Sequence, residues 1–439
     1  MKQVKFIASA AVLLSTAILS SCMGGTGISG DSTQTAEQSA DTGKTNAAEQ
    51  SSAISNENSG ETVHLEYFNV KPEVEDIYNT LIAKFEKENP DIVIEQINDP
   101  DPTTVLQTRM STNNMPDILS HWATDPVFKE MVNNEMLLDL TDQEFLANVK
   151  DGMLETVEYN GKAYCLPISM NAAGVFYNKD IFTANQLEVP STYEEFIQVC
   201  QKLQTAGITP LAMFNQSSHA GQTIEMLQVE DISNFEQVFA DIQSGSKSVA
   251  DFDGFRITAN KILELNKYAQ DDSFGSTYEQ AIADFANGSA AMIIGGIWML
   301  PTINEDNDSL NYSTFALPAS EDEKTVIPYQ NDHCLAISST CEHPQEALKF
   351  LAFMAEQENA QYYADMDGSP SYINGVETTV TQTKPLLDYF NDPQSLGIWP
   401  DQIWNVGVID SMNSYADELV QSGDVDAYLS NIQTVLQGQ

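Results

Sequence analysis

The sequence predicts an α/β fold of two lobes. Strand and helix patterns alternate from residue 61 onward, and the alternation starts afresh after Gly161. Helix-only and loop stretches interrupt it too often for a closed barrel. With 439 residues, 42% of them apolar, the chain has material for two or three domains with their own cores.

The first block opens on a strand at 63–68. An amphipathic helix follows at 73–88, with Val74, Ile77, Leu81 and Phe85 on one face and Asn89-Pro90 as its stop. A strand at 92–97, a helix at 103–112 and a short third strand at 116–120 complete the block. This succession implies a mainly parallel sheet with helices on both faces. The second block has a strand at 173–177 and a helix at 192–206, entered through Pro190-Ser191. A helix at 278–287 is closed by Gly288, and a buried strand at 290–294 runs into Gly295-Gly296 and a helical stretch at Trp298. A strand at 334–338, a helix at 344–356 and two terminal helices at 408–421 and 425–436 end the chain.

The first sixty residues have a different character. Lys2 and Lys5 precede an apolar run at 6–19, too short for a spanning helix, which ends in Leu19-Ser20-Ser21-Cys22. This resembles a lipoprotein signal over 1–22, in which Cys22 becomes the lipidated first residue of the mature chain. Residues 23–60, rich in small and polar types, are expected to form a flexible linker. Gly25, Gly27 and Gly30 match a dinucleotide fingerprint by chance, since no strand precedes them and no amphipathic helix follows.

The chain carries 64 acidic against 19 basic residues, a net charge of −45. Nucleic acid is excluded, because its binding needs clustered Lys and Arg, and Arg109 and Arg256 are the only arginines. Acidic residues are spread along the whole folded region, which describes solubility rather than a site. Cys165, Cys200, Cys334 and Cys341 have no metal or disulfide spacing, and the five histidines include no ligand pair. Asp306-Asn307-Asp308 and Asp365-Met366-Asp367-Gly368 hint at calcium ligands but do not continue into a twelve-residue loop. No catalytic motif occurs, so neither a catalytic residue, a cofactor nor a metal is predicted.

Four tryptophans carry the functional signal: Trp122, Trp298, Trp399 and Trp404. Trp122 and Trp298 lie just past strand ends, where open α/β sheets bind ligands. A sugar ring suits two such rigid aromatics, its C–H face stacking on indole while its hydroxyls need polar partners. Asn69, Asp125, Asn171, Gln330, Asn331 and Asp332 are candidates for those partners, and Gly296 allows close approach of backbone beside Trp298.

Residues 176–182 (FYNKDIF) followed by 189–196 (VPSTYEEF), and 285–292 (FANGSAAM) with Gly296 and Trp298, are similar to segments of the extracellular solute-binding proteins of carbohydrate ABC importers, the maltose-binding-protein-like group. Gly161-Lys162-Ala163-Tyr164 and 347–351 (ALKFL) extend the resemblance, which runs from about residue 63 to the C terminus. It implies a type II periplasmic-binding-protein-like fold, with a ligand cleft between lobes joined by crossing hinge strands. The lobes would comprise 61–171 with 317–366, and 172–316 with 367–439, the chain crossing near Asn171, near Leu317 and after about Met366. It also implies that Trp298 stacks on the sugar, that Trp122 contributes, and that Trp399 or Trp404 closes the site. His219 falls where relatives often carry an aromatic.

The implied protein is a non-enzymatic, monomeric receptor that captures a neutral mono- or oligosaccharide and passes it to ABC permease subunits. It would be lipid-anchored on the extracellular face of the cell membrane, or periplasmic in an envelope of two membranes. A peptide or polycation receptor and a surface glycoside hydrolase are the alternatives.

Overall fold

A single mixed sheet runs through the whole folded part. In the computed structural model, residues 62–321, 325–404 and 406–438 are described; the predicted signal, Cys22 and the linker lie outside them. The strands are β1 (Val63–Asn69), β2 (Ile92–Asn98), β3 (Ile118–His121), β4 (Leu166–Asn178), β5 (Thr209–Ala212), β6 (Ala290–Gly296), β7 (Tyr312–Phe315), β8 (Ile327–Ile337) and β9 (Leu396–Ile398). Their lateral order is β2-β1-β3-β8-β4-β6-β5, with β7 also beside β4 and β9 beside β8.

The helices in chain order are α1 (Glu75–Glu88), α2 (Pro102–Ser111), α3 (Pro126–Asn133), α4 (Lys179–Ala184), α5 (Tyr193–Thr205), α6 (His219–Asp231), α7 (Phe235–Gln243), α8 (Asp253–Leu265), α9 (Tyr278–Ala286) and α10 (Leu300–Asp306). The remainder are α11 (Pro344–Met354), α12 (Gln357–Asp367), α13 (Lys384–Leu387), α14 (Val406–Ser422) and α15 (Val425–Gln437). Among the described residues no helix is long and apolar enough to cross a membrane.

Each half of the sheet is covered on both faces, so its strands are apolar on both sides. In the first half, Ile77, Leu81 and Phe85 of α1 meet Leu65, Ile94 and Phe350 on one face. Phe68 and Leu119 point the other way, onto Leu106 and Phe128. In the second half, Val175 and Ile294 pack towards Phe196, Ile224 and Phe255, while their neighbours Phe176 and Ile293 pack towards Phe285 and Ile303. That alternation is the two-residue period of a strand. α14 and α15 pack on each other and against α6 and α8, which places the C terminus in the second half.

β4 and β8 join the halves. Residues 166–172 of β4 pair with β8, with a register irregularity around Ser169; from Ala173 the strand pairs with β6, and from Val175 with β7 as well. The ladders β4–β8, β4–β6, β4–β7 and β3–β8 are antiparallel, whereas β1–β2, β1–β3, β5–β6 and β8–β9 are parallel. The expected mainly parallel sheet is therefore a mixed one. Helix-connected pairs such as β1-α1-β2 keep the parallel direction, but the chain leaves the first half along β4 and re-enters along β8, which sets those two in opposition.

Several boundaries differ from the sequence pattern. The strand expected at 334–338 is the end of β8, whose earlier residues 328–333 are polar and were silent. α6 gave no stripe because it is buried all round, with Thr223, Glu225 and Gln228 as inaccessible as Ile224 and Leu227. α7 and α8, although amphipathic, were also unassigned from the sequence.

Gly174 sits where β4 enters the second half, and a Cβ there would lie 2.4 Å from the Phe315 carbonyl oxygen and 2.7 Å from Leu386 Cδ2. Gly174→Ala should lower stability by roughly 1–3 kcal/mol through overpacking against backbone. Gly275→Ala, with open space around its Cβ, should leave the denaturation midpoint close to that of the parent.

Candidate functional site

A cavity of about 380 Å³ opens between the halves, within the range of small-molecule pockets. The first half lines it with Lys71 and Glu73 from the turn after β1, and with Trp122, Thr124 and Asp125 from the turn after β3. Gln330 and Asp332 of β8 form its floor. The second half contributes Ser218, Gln222 and Glu225 around α6, Trp298 after β6, and Asn413 of α14. The segment after β9 adds Trp399, Asp401 and Gln402.

Three indoles therefore converge. Trp298 lies in a 3-10 turn at Ile297–Met299, its ring flat on Gly296: a Cβ there would be 1.8 Å from the ring. Gly296 serves the site as a seat for the indole without lining the cavity. The Trp298 and Trp399 rings are 5.8 Å apart at 55°. Trp399 is 3% exposed, and its Nε1–H donates to the Glu225 carboxylate.

The polar wall is rich in acceptors. Lys71 Nζ is 2.6 Å from Asp332 Oδ2 and 3.7 Å from Asp367 Oδ1, with all three side chains at most 2% exposed. Burial pulls the Lys71 ammonium down, but the two carboxylates more than offset this and hold it above the ordinary lysine range. Burial pushes the Asp332 carboxyl up, yet Lys71 pulls it to a net position below the usual range. Burial pushes Glu73 up to about 7 against the opposing pull of Lys71. Asp401 is likewise pushed up to about 7, by burial and then by the charge of Asp125. Glu225 is raised by burial and by Asp401. Three lining atoms, Thr124 Oγ1, Gln222 Oε1 and Asp401 Oδ1, are buried without a hydrogen-bond partner among the described residues. Unpartnered buried polar groups are costly, so these are the atoms a hydroxyl-bearing ligand would satisfy.

Of the candidates named from sequence, Trp122, Trp298, Trp399, Asp125, Asp332 and Gln330 line the cavity. Asp125 also caps α3, its Oδ1 accepting from Val127 N–H at 2.7 Å. Trp404 is 2% exposed, packed beside Phe235 in the second half's core, so of the two C-terminal tryptophans Trp399 is at the cavity. Asn69 is a turn brace, its Nδ2 donating to the Lys71 carbonyl at 2.7 Å. Asn171 is fully buried in β4 and accepts from Ala172 N–H at 3.0 Å. Asn331 accepts from the Tyr372 hydroxyl at 2.5 Å. His219 stacks on Phe214 at 3.8 Å, accepts from Phe214 N–H on Nδ1 and donates from Nε2 to the Ile294 carbonyl. Burial lowers it to about 4, so it is a neutral core histidine.

Sequence reasoning missed Lys71, Glu73, Thr124, Gln222, Glu225 and Asp401. Lys71 and Glu73, beside the named Asn69, could have been found from their place at a strand end. The other acids had no signal among 64 carboxylates. Of the two acidic runs that hint at calcium ligands, Asp365 and Asp367 end α12, while Asp306 ends α10 with Asn307 and Asp308 in the turn beyond it; among the described residues no group of three His, Cys, Asp or Glu side chains is placed to hold a metal ion.

A family model for bacterial extracellular solute-binding proteins matches residues 80–388. The multiple sugar-binding protein of Streptococcus mutans is 29% identical over 354 residues, covering 78% of this chain and 83% of that protein. The melibiose/raffinose/stachyose-binding protein MelE of Bacillus subtilis is 23% identical over 329 residues, covering 72% and 75%. The structure of RafE in complex with raffinose superposes with a TM-score of 0.79 at 27% identity, covering 86% of this chain and 99% of that one. The apo form of RafE from Streptococcus pneumoniae gives 0.72.

Lys71→Met leaves Asp332 and Asp367 buried without their counter-charge, which should cost roughly 3–5 kcal/mol. Without Lys71 the Asp332 carboxyl titrates above its unfolded value, so the deficit should shrink as pH falls from 7 to 4. Denaturant titrations of both proteins at the two pH values check this.

Proposed function

The chain belongs to the bacterial extracellular solute-binding proteins, and we propose that it captures a neutral mono- or oligosaccharide by closure of its two halves and delivers it intact to the permease of an ABC importer. One observation carries the reading: three indoles and the unpartnered polar atoms of Thr124, Gln222 and Asp401 line one cavity built from both halves. Indole faces offer apolar surface to the C–H side of a pyranose, and the carboxylates and amides accept from its hydroxyls. The one lining ammonium, Lys71, is already paired to two carboxylates, so nothing in the wall calls for an anionic solute. The better superposition on the raffinose-bound form of RafE than on its apo form supports a sugar-ready arrangement of the halves here.

The site comprises Trp122, Trp298, Trp399, Asp125 and Asp332, with Gly296 as the seat of the Trp298 ring. Asn69 and Asn171 act behind the wall, and Trp404 belongs to the core. β4 changes partner from β8 to β6 at Ala173, which supports a lobe division at 171/172. The later crossings fall beyond the expected 316/317 and 366/367, because Leu317 and Ala319 pack in the second half's core, Tyr372, Ile373 and Val376 in the first half's, and α14 and α15 on the second half. Closure then proceeds about β4 and β8. No bond chemistry is required of the protein, which acts as a monomer. It sits at the extracellular membrane face on a lipid attached to Cys22, or in a periplasm.

Trp298→Ala should weaken binding of the cognate sugar at least tenfold by calorimetry, about 1.4 kcal/mol or more. A panel of neutral sugars, beginning with raffinose and stachyose, should include one that raises the melting temperature, since a ligand at a hundred times its Kd stabilises by about 2.7 kcal/mol. Peptides or polyamines shifting the melt while sugars leave it unmoved, or turnover of an oligosaccharide, would defeat the reading.

A further inference from the structure

We infer that Glu225 is a positioning residue, which clamps the segment after β9 onto α6 so that the Trp399 indole is presented to the ligand; this rests on the sugar-capture reading of the cavity. Glu225 projects from α6 one turn beyond Gln222 and is 5% exposed. Its carboxyl oxygens accept from Trp399 Nε1 and from the backbone N–H of Asp401, two bonds to neighbouring parts of one segment.

The segment has other anchors. β9 pairs with β8 through three residues, Ile327 with Leu396, Pro328 with Gly397 and Tyr329 with Ile398. Beyond it, Trp399 N–H donates to the Tyr329 carbonyl at 3.3 Å, Gln402 Nε2 to Gln330 Oε1 at 3.5 Å and Lys129 Nζ to the Gln402 carbonyl at 3.3 Å, and Trp404 is buried in the core. A second hollow of about 800 Å³ borders the same segment, lined by Val229, Phe235, Ile398 and Ile403. Trp399 and Trp404 are both buried in the second half's core with Ile403 packed against it, so core packing fixes the path of the segment while hydrogen bonds orient the ring. Glu225 supplies the contact on the indole itself.

The clamp has a charge dependence built in. Glu225 faces Asp401 on the segment and Tyr428 of α15. Asp401 in turn feels Asp125, which lies near Lys129 of α3. Among the described residues neither Glu225 nor Asp401 forms an ion pair with a lysine or arginine. Burial raises both carboxyls, with the charge of Asp401 adding at Glu225 and that of Asp125 adding at Asp401, which stands at about 7. A raised carboxyl favours this arrangement at low pH, and the preference is lost as pH rises through the raised value and the pair takes on its second charge.

The test uses the full chain, with raffinose as first probe and otherwise whichever panel sugar shifts the melt most. Glu225→Ala and Trp399→Phe should each weaken binding about tenfold, and the double variant no more than Trp399→Phe alone, the non-additivity of two residues acting as a unit. Glu225→Gln, which keeps an acceptor for the indole, should recover affinity to within about threefold and flatten the fall in affinity between pH 6 and 8.5. Tryptophan emission of the sugar-free protein should shift in Glu225→Ala, and the shift should vanish in the Trp399→Phe background. Additive losses, an emission shift that persists without Trp399, or unchanged affinity in Glu225→Ala while Trp298→Ala binds weakly would overturn the inference. Intact binding in Trp298→Ala, or no sugar binding at all, would instead sink the reading of the site on which it rests.

Discussion

The arrangement of the cavity depends on one buried ammonium, Lys71, held between Asp332 of β8 and Asp367 at the end of α12. Three segments far apart in sequence meet there: the turn after β1, a crossing strand and a late helix. Ser169 of β4 joins them, its hydroxyl donating to Asp332 Oδ2 at 3.0 Å, so both crossing strands are tied to the same charge. A buried ion pair contributes little net stability over an apolar alternative, but removing one partner is severe. Its structural consequence is specificity of position. The turn carrying Lys71 and Glu73 is held against β8, and the one cationic group in the wall is consumed within the protein.

That consumption decides what the wall can recognise. With Lys71 neutralised, what remains facing the cavity is acceptor-rich: Glu73, Asp125, Glu225 and Asp401, with Gln222 and Thr124 between them. An acceptor-rich wall is complementary to groups that donate, and a polyhydroxylated ring donates from every hydroxyl. An anionic solute would find no cation free to pair with it in this wall, since Lys71 is already held by two carboxylates, and would leave water without compensation.

The legibility of the molecule in its sequence follows the same physics. Several elements with one buried face announced themselves by period, as α1, α5 and α9 did, although the amphipathic α7 and α8 went unassigned. Elements buried all round did not: α6 mixes Thr, Glu and Gln with Ile and Leu at equal burial, and the polar stretch of β8 reads as loop. Trp122 and Trp298 were legible because tryptophan is scarce and strand ends are where such sheets bind. Trp399 and Trp404 could not be separated by position, since the difference lies in a short segment whose path is set by core packing and whose Trp399 ring is oriented by Glu225, an acid indistinguishable from its many neighbours in the sequence. The three unpartnered atoms are a property of packing alone, so no pattern in the chain could have shown them.

A cavity with walls in both halves has an energetic consequence. Trp122 and Asp125 lie on one half, Trp298 and Gln222 on the other, and the Trp399 segment runs from β8 to the second half's core. A ligand touching all of them makes contacts in the closed form that the open form cannot offer, and this differential affinity is what shifts the population. The observed affinity is then the intrinsic affinity of the closed cavity reduced by the fraction closed without ligand. Contacts that seat the Trp399 segment act on the first factor; interactions along β4 and β8 act on the second. A substitution far from the sugar, in the crossing strands, can therefore change affinity as much as the loss of an indole does while leaving every ligand contact in place.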